Sequence, residues 1–325
     1  MKAWRSLLAA SGALSLMAIS AAGHAQDAPY PRKGSNIEMT VLFPAGTSAD
    51  VTARALAAGM AKQLGVNVPV VNRPGAGGAI GYKHVAAQKP DGYSIVWNSN
   101  SISTTYHSGQ LPFDYRSFEP VARALVESVV VAVRSDSKWK SLKELIADAK
   151  SRPGQITVAN SGVGSHTHLS GVVLLKTAGA SVTEVPYSAS QIIPNLMGGH
   201  VDVVIQFPGA LAGNVSAGKI RLLAALSTRR DPSFPDVPLA REMGLDVALD
   251  AWRGIAVPKG TPKSVIAALE KSVRETVEGP EFAAAAAKLY VSPGFLPAQE
   301  FGQMIAKEDA ALARVMEQIG LKKSP

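Results

Sequence analysis

Short apolar runs alternate with longer amphipathic segments from residue 37 onward. The first predicted elements are strands at 37–43, 66–71 and 94–97, and helices at 51–64 and 80–87. The helix at 51–64 is rich in alanine and carries Leu56 and Met60 on one face. Strands separated by helices of this length predict βαβ units, with mainly parallel sheets flanked by helices, so the fold class is α/β.

The same alternation restarts in the second part of the chain. Predicted strands lie at 129–133, 156–159, 182–185, 201–207 and within 218–226, and helices at 142–150, 168–177 and 191–197. A strand at 252–257 precedes a mostly helical end, with helices at 262–277, 281–288 and 298–319. Because these last helices need a sheet to pack on, we expect the chain to return to its first domain through the second of two hinge strands. The predicted division is 26–126 plus 252–325 for domain one, with 127–251 inserted as domain two.

Three glycine-rich turns each follow a predicted strand and precede a predicted helix. They are PAGTSAD at 44–50, RPGAGG at 73–78 and SGVGSHTHL at 161–169. Free amides and the dipole at a helix start favour an anion, and Ser48 and Ser165 can add hydroxyl donors or serve only as N-caps. Each turn alone is more readily an ordinary tight turn. Together, at the carboxyl ends of strands in both halves, they predict an anion-binding cleft that closes by hinge motion.

Other kinds of site find little support. The turn at 75–80 has Ile80 where a dinucleotide fingerprint needs glycine, and the P-loop-like run at 213–220 has Ile220 in place of Ser or Thr. His166 and His168 would point about 200° apart on a helix, so they cannot share a metal there. We expect His168 to hydrogen-bond loop backbone instead. No nucleophile elbow is found, and the prediction includes no catalytic residue, metal or cofactor.

Composition and charge narrow the class of protein. The 325 residues include no cysteine, so disulfides and thiolate zinc sites are excluded. Residues 1–25 have the pattern of a secretory signal, with Lys2 and Arg5 before an apolar run; an uncleaved anchor is the less favoured alternative. The net charge of +8 is spread along the chain without basic runs or interleaved aromatics. This charge suits a small anionic ligand, and no nucleic-acid partner is expected.

In order and spacing, these motifs resemble the Bug-type solute-binding proteins of tripartite tricarboxylate transporters. The resemblance covers about residues 30–321. Its pieces are Tyr30-Pro31, Phe43-Pro44-Ala45-Gly46 with Asp50, Asn72 to Gly78 with Ile80-Gly81, Pro90 to Tyr93, Gly164-Ser165 with His168-Leu169, Val185-Pro186-Tyr187, Gly198-Gly199 with Val201-Asp202, Gly218-Lys219, Pro235 to Pro238, and Trp252 with Gly254. The chain departs from the family at Thr47, where a second glycine is frequent, and at Ser188-Ala189, where Lys-Gly is frequent. These departures leave the distal end of the ligand open.

The resemblance implies a two-domain, type II-like periplasmic-binding-protein clamshell that holds a small organic acid through main-chain amides. It implies a periplasmic receptor, expected to be a monomer, that delivers the acid to membrane permease subunits. The expected ligand-binding residues are Phe43, Ala45, Gly46, Thr47, Ser48, Asp50, Asn98, Ser99, Asn100, Ser161, Gly162, Gly164, Ser165, His168, Tyr187 and Phe207. For Asp50, capping its own turn is favoured over contact with a ligand amine, and Tyr187 is either a cleft donor or packed. The alternatives are a ligand sensor for a signalling partner and, less favoured, an exported enzyme on an anionic substrate.

Overall fold

The computed structural model describes residues 30–230, 234–247 and 249–323, so the predicted signal at 1–25 lies outside it. The first elements are β1 (Glu38–Val41), α1 (Ser48–Leu64), β2 (Val70–Asn72), α2 (Ala79–Ala86), β3 (Ser94–Ser99), α3 (Ser101–His107) and β4 (Phe118–Arg134). Next come α4 (Leu142–Ser151), β5 (Thr157–Asn160), α5 (His166–Ala178), β6 (Thr183–Pro186), α6 (Ile192–Met197), β7 (Val203–Gln206), α7 (Pro208–Ser216) and β8 (Ile220–Leu226). The last are β9 (Asp250–Pro258), α8 (Lys263–Val277), α9 (Pro280–Lys288), β10 (Ser292–Pro297) and α10 (Ala298–Gln318). None of these described helices is both long and apolar enough to cross a bilayer.

The long strand β4 joins two groups of strands into one mixed sheet. Up to Ser128 it pairs antiparallel with β9, and from Val129 it pairs antiparallel with β7 and β8. In one group β1 lies parallel to β2 and β3, and in the other β5 lies parallel to β6 and β7. The predicted α/β class and parallel units are confirmed. The sheet as a whole is mixed because β9 returns antiparallel between β3 and β4.

The two strand groups carry separate apolar cores. One core gathers buried residues such as Met39, Leu56 and Ile255, and the other gathers residues such as Val131 and Leu142. A small third cluster lies where helix α10 meets helix α5, and it consists of Leu169, Leu312 and Met316. Lys176 of α5 also donates to the Gln318 carbonyl at 2.7 Å. Helix α10 therefore contacts both parts of the molecule.

Three elements were not predicted, and their composition explains why. Helix α3 has the sequence SISTTYH, whose serines and threonines have weak helix propensity, yet residues 101–105 are buried. Strand β10 includes Pro293 and Gly294, residues that disrupt strands, and it pairs with β4 across an irregular register. Helix α7 starts with Pro208-Gly209, a pair that is typical of turns. In each case tertiary packing overrides local propensity.

Gly254 is a point of close approach in β9. A Cβ atom placed there would lie 2.4 Å from the Ala122 carbonyl oxygen and 2.6 Å from the ring of Phe301. The Phe301 ring also packs edge-on against Trp252, with centroids 5.0 Å apart. Absence of a side chain at 254 therefore lets α10 sit directly on the β4–β9 ladder.

We expect Gly254→Ala to lower the free energy of unfolding by about 2–3 kcal/mol, because the methyl group overpacks against backbone. Gly213→Ala is the matched control, since Gly213 lies in helix α7 and a methyl group placed there would meet no neighbouring atom within 4 Å. The control should be neutral or gain up to about 1 kcal/mol from helix propensity. Urea unfolding of both variants measures the two changes. Equal stability of the two variants would contradict the packing argument.

Candidate functional site

Two helix starts from different strand groups face one cavity. Ser48 and Ala49 open helix α1 after β1, and His166 and Thr167 open helix α5 after β5; all four line the cavity. First-turn amides have no acceptor inside their own helix, and the helix dipole adds partial positive charge. The arrangement therefore presents two sets of backbone donors to an anion.

The cavity contains about 430 Å³ of space between atoms, counted with its open mouth. Its wall consists of Phe43, Thr47, Ser48, Ala49, Ser99, Asn100, Ser101, Ser161, Ser165, His166, Thr167, Ala189, Gln206, Phe207, Ala251 and Arg253. Seven of these sixteen residues are serine or threonine, so the wall combines hydroxyl groups with apolar surface.

Asp50 fixes the shape of the turn before α1. Its buried carboxylate accepts from the Gly46 amide at 2.9 Å, from Asn72 Nδ2 at 2.9 Å and from Arg54 Nε at 3.0 Å. Burial alone would raise the pKa of Asp50, but these hydrogen bonds outweigh it and hold that pKa below its usual value. Asp50 therefore organises the turn through bonds to protein groups.

The turn before α5 is held in a similar way. The Ser165 hydroxyl accepts from the His168 amide at 3.2 Å and caps the helix. The Gly164 amide donates to His168 Nδ1 at 3.2 Å, while His168 Nε2 lies 3.3 Å from a Glu184 oxygen. Gly162 and Gly164 have φ values of 99° and 80°, a region that favours glycine. His168 thus bonds loop backbone, as expected.

The end of β3 closes one side of the cavity. Asn100 Oδ1 accepts from the Trp252 amide at 3.0 Å, and its amide nitrogen donates to Glu308 of α10. Trp252 Nε1 donates to the same carboxylate. Asn98 turns away from the space and accepts from the Tyr82 hydroxyl at 2.7 Å. Glu308 therefore fixes the orientation of a cavity-lining side chain from behind.

His166 lines the cavity and has one ring nitrogen free to accept a hydrogen bond. Its Nε2 lies 3.0 Å from the Leu249 carbonyl oxygen, so Nε2 carries the proton and Nδ1 has only its lone pair. Nδ1 is buried without a hydrogen-bond partner among the described residues. Burial lowers the pKa of His166 to about 4, which keeps the ring neutral near pH 7. The ring lies parallel to that of Phe207, with centroids 6.2 Å apart.

The structure brings half of the predicted ligand-binding residues into the cavity wall. Those on the wall are Phe43, Thr47, Ser48, Ser99, Asn100, Ser161, Ser165 and Phe207. Those outside the wall are Ala45, Gly46, Asp50, Asn98, Gly162, Gly164, His168 and Tyr187. In this second group Asp50, Gly164 and His168 shape the two turns, whereas Tyr187 packs on an apolar cluster.

Sequence reasoning missed eight wall residues. They are Ala49, Ser101, His166, Thr167, Ala189, Gln206, Ala251 and Arg253. Ala49, His166 and Thr167 could have been found, because the anion argument relies on first-turn amides rather than on the glycines before them. Arg253 had a weaker signal, a basic residue inside an otherwise mostly apolar predicted strand.

The burial of Glu308 predicts that the stability of the folded protein depends on pH. Burial, aided by Asp250, raises its pKa to about 7 from an ordinary 4.5, against the opposing bonds from Trp252 and Asn100. The folded protein thus retains a proton that the unfolded chain releases, so this contribution is full below pH 4.5 and is lost as the pH rises to about 7. Between these limits wild type should lose about 3 kcal/mol more unfolding free energy than Glu308→Gln.

Urea unfolding at several pH values measures the difference between the two proteins. Glu300→Gln, at an exposed position of the same helix, is the matched control and should follow wild type. Parallel pH profiles for wild type and Glu308→Gln would show that Glu308 does not hold this proton.

Comparison with known proteins gives consistent matches. The family model for TctC, described as "Tripartite tricarboxylate transporter family receptor", matches residues 52–321. Protein BugT of Bordetella pertussis is 32% identical over 299 residues, which cover 90% of this chain and 91% of BugT. The solved structure of the periplasmic binding protein BugD is 30% identical, with a TM-score of 0.84, and covers 91% of this chain and 100% of that one. An R. palustris protein solved with adipate is 25% identical, with a TM-score of 0.84, and the match covers 90% of this chain and 99% of that one.

Proposed function

The chain belongs to the tripartite tricarboxylate transporter receptor family, and we propose that it binds a small organic carboxylate in the cavity between its two strand groups. The family and fold are those of solute-binding proteins. The adipate bound to one structural neighbour supports an acid of this size class. On this proposal the chain carries the acid to the membrane permease subunits of a transporter.

One observation carries the proposal: the first turns of α1 and α5 meet at the same cavity. One turn belongs to the β1 group and the other to the β5 group. A carboxylate placed between them would receive backbone donors from both groups at once. The ligand then stabilises the closed arrangement of the two parts, which is the property a receptor needs for delivery.

We further propose that residues 26–126 with 252–325 form one domain and residues 127–251 the other. The separate apolar cores support this division, and so does the pairing change on β4 between Ser128 and Val129. Close contacts cross the cleft: Gln110 donates to the Val163 carbonyl at 3.4 Å, and a Cβ at Gly209 would lie 2.9 Å from the Ser48 hydroxyl. The strand β4 and the segment entering β9 would act as hinges.

A binding role fits the side-chain chemistry better than catalysis. A hydrolase would need a serine hydrogen-bonded to a histidine base. His168 Nδ1 accepts from the Gly164 amide and its Nε2 faces Glu184, and no serine among the described residues is bonded to the free Nδ1 of His166. Ser165 caps its helix. We propose export to the periplasm through the signal at 1–25, action as a monomer, and ligand binding without a cofactor or metal.

The proposal predicts that carboxylates raise the melting temperature of the purified protein. A ligand at 100 times its Kd adds about 2.7 kcal/mol to the folded state, which corresponds to a shift of roughly 4–5 °C for a chain of this length. The panel holds dicarboxylates, tricarboxylates, aromatic acids and amino acids, added after refolding to remove any ligand that co-purifies. A shift with one carboxylate class supports the proposal, and no shift with any of them contradicts it.

Two variants locate the binding site. Ala189→Trp places a large ring at the cavity wall and should abolish the shift, since Ala189 lines the space and is half-buried. Ala217→Trp is the matched control on an exposed surface and should keep the full shift. Both variants should melt cooperatively without ligand. A full shift in Ala189→Trp would move the site away from this cavity.

A further inference from the structure

A buried arginine forms part of the cavity wall. Arg253 lies in β9, its side chain is only 3% exposed, and its Nε donates to the carboxylate of Glu127, which is fully buried in β4. The second oxygen of Glu127 accepts from the Ser48 hydroxyl at the start of α1. The guanidinium also lies over the Phe207 ring, 5.1 Å from its centroid. Contacts with Glu127 and Phe207 therefore fix its orientation.

Most donors of this guanidinium are unused by the protein. Arginine has five N–H donors, and the bond to Glu127 uses the one on Nε. Within the part of the chain that the structure describes, Nη1 and Nη2 donate to no other residue. Arg253 lines the cavity, so these terminal nitrogens are available to donate to an acceptor of a ligand bound there.

The charge of the pair explains how the fold tolerates a buried cation at the cavity wall. Glu127 balances Arg253, which makes the pair neutral in the absence of ligand, although removing one partner would leave a costly buried charge. Orienting Nε toward Glu127 leaves the opposite edge of the guanidinium, with its two Nη atoms, to face another planar acid. A guanidinium held in this way binds carboxylate by two parallel hydrogen bonds.

We propose that Arg253 is the specificity-determining residue of this receptor and selects ligands that carry a second acidic group. The inference rests on the proposed function, in which the amides of α1 and α5 hold the first carboxylate. Arg253 then binds the second acidic group through Nη1 and Nη2. Glu127 is a positioning residue that orients the arginine and does not itself contact the ligand.

The test compares each diacid with its half-amide, which has nearly the same shape but lacks one charge. Succinate, glutarate and adipate are paired with succinamate, glutaramate and adipamate, and calorimetry gives the Kd of each. For the diacid whose length fits, wild type should bind at least about tenfold more tightly than the half-amide, as expected for loss of a charged hydrogen-bonding partner. The measured quantity is this ratio of Kd values.

The main variant is the double substitution Glu127→Gln with Arg253→Gln, which removes both charges and leaves no unpaired ion. Its diacid to half-amide ratio should fall to within about threefold, while its half-amide Kd changes less than about threefold, because only the contact with the second acidic group is lost. Arg253→Lys keeps the positive charge but loses the planar pair of donors that binds a carboxylate at two points. Its diacid to half-amide ratio should lie between those of wild type and the double variant. If the double variant fails to melt cooperatively, the test relies on Arg253→Lys alone. A diacid to half-amide ratio equal to that of wild type in Arg253→Lys then overturns the proposal.

Arg123→Gln is the matched control, because Arg123 is a half-buried arginine on the same β4–β9 pair that donates to the Gly294 carbonyl outside the cavity. It should keep the wild-type ratio. Equal wild-type binding of every diacid and its half-amide overturns the role of Arg253 and leaves the proposed function intact. Equal weakening of both ligands in the double variant would assign Arg253 to the first carboxylate and also overturns the inference. Failure of wild type to bind any member of the panel overturns the proposed function itself.

Discussion

The whole structure depends on the continuous pairing of one strand with partners on both sides of the cavity. β4 has 17 residues, and its partners change from β9 to β7 and β8 within one step, between Ser128 and Val129. A strand that pairs with both groups of strands must be buried along most of its length, and its burial pattern is almost uniform after residue 128. Glu127, two positions before Val129, is consequently buried and needs partners.

Those partners connect the sheet to the cavity. Glu127 holds Ser48, whose amide belongs to the first turn of α1, and Arg253, which lines the same space. The cavity therefore combines two kinds of positive potential: uncharged dipoles at the helix starts and a cation whose charge is already balanced. Together they attract an anion, although the Arg253–Glu127 pair adds no net charge to the wall.

The sequence revealed the local features of the site and missed the distant ones. The turn at 44–50 and the start of α5 are set by neighbouring residues, such as Asp50 with Gly46, so their roles could be predicted. Arg253 and Glu127 are 126 positions apart, and His166 meets Leu249 across 83 positions. No periodicity or motif encodes such pairs. Strand β10 was missed for a different reason, because Pro293 and Gly294 conceal a strand that only its pairing with β4 stabilises.

Helix α10 has a consequence for affinity. Its Leu312 and Met316 pack on Leu169 of α5, while its Phe301 packs on Trp252 of β9. Any separation of the two parts must expose the first of these contacts to water, which costs free energy in proportion to the apolar area uncovered. The unliganded protein is thereby biased toward the conformation that already fits the ligand. The observed Kd equals the intrinsic Kd divided by the fraction of molecules in that conformation. Packing of α10 on α5 therefore influences the lowest solute concentration at which the receptor binds.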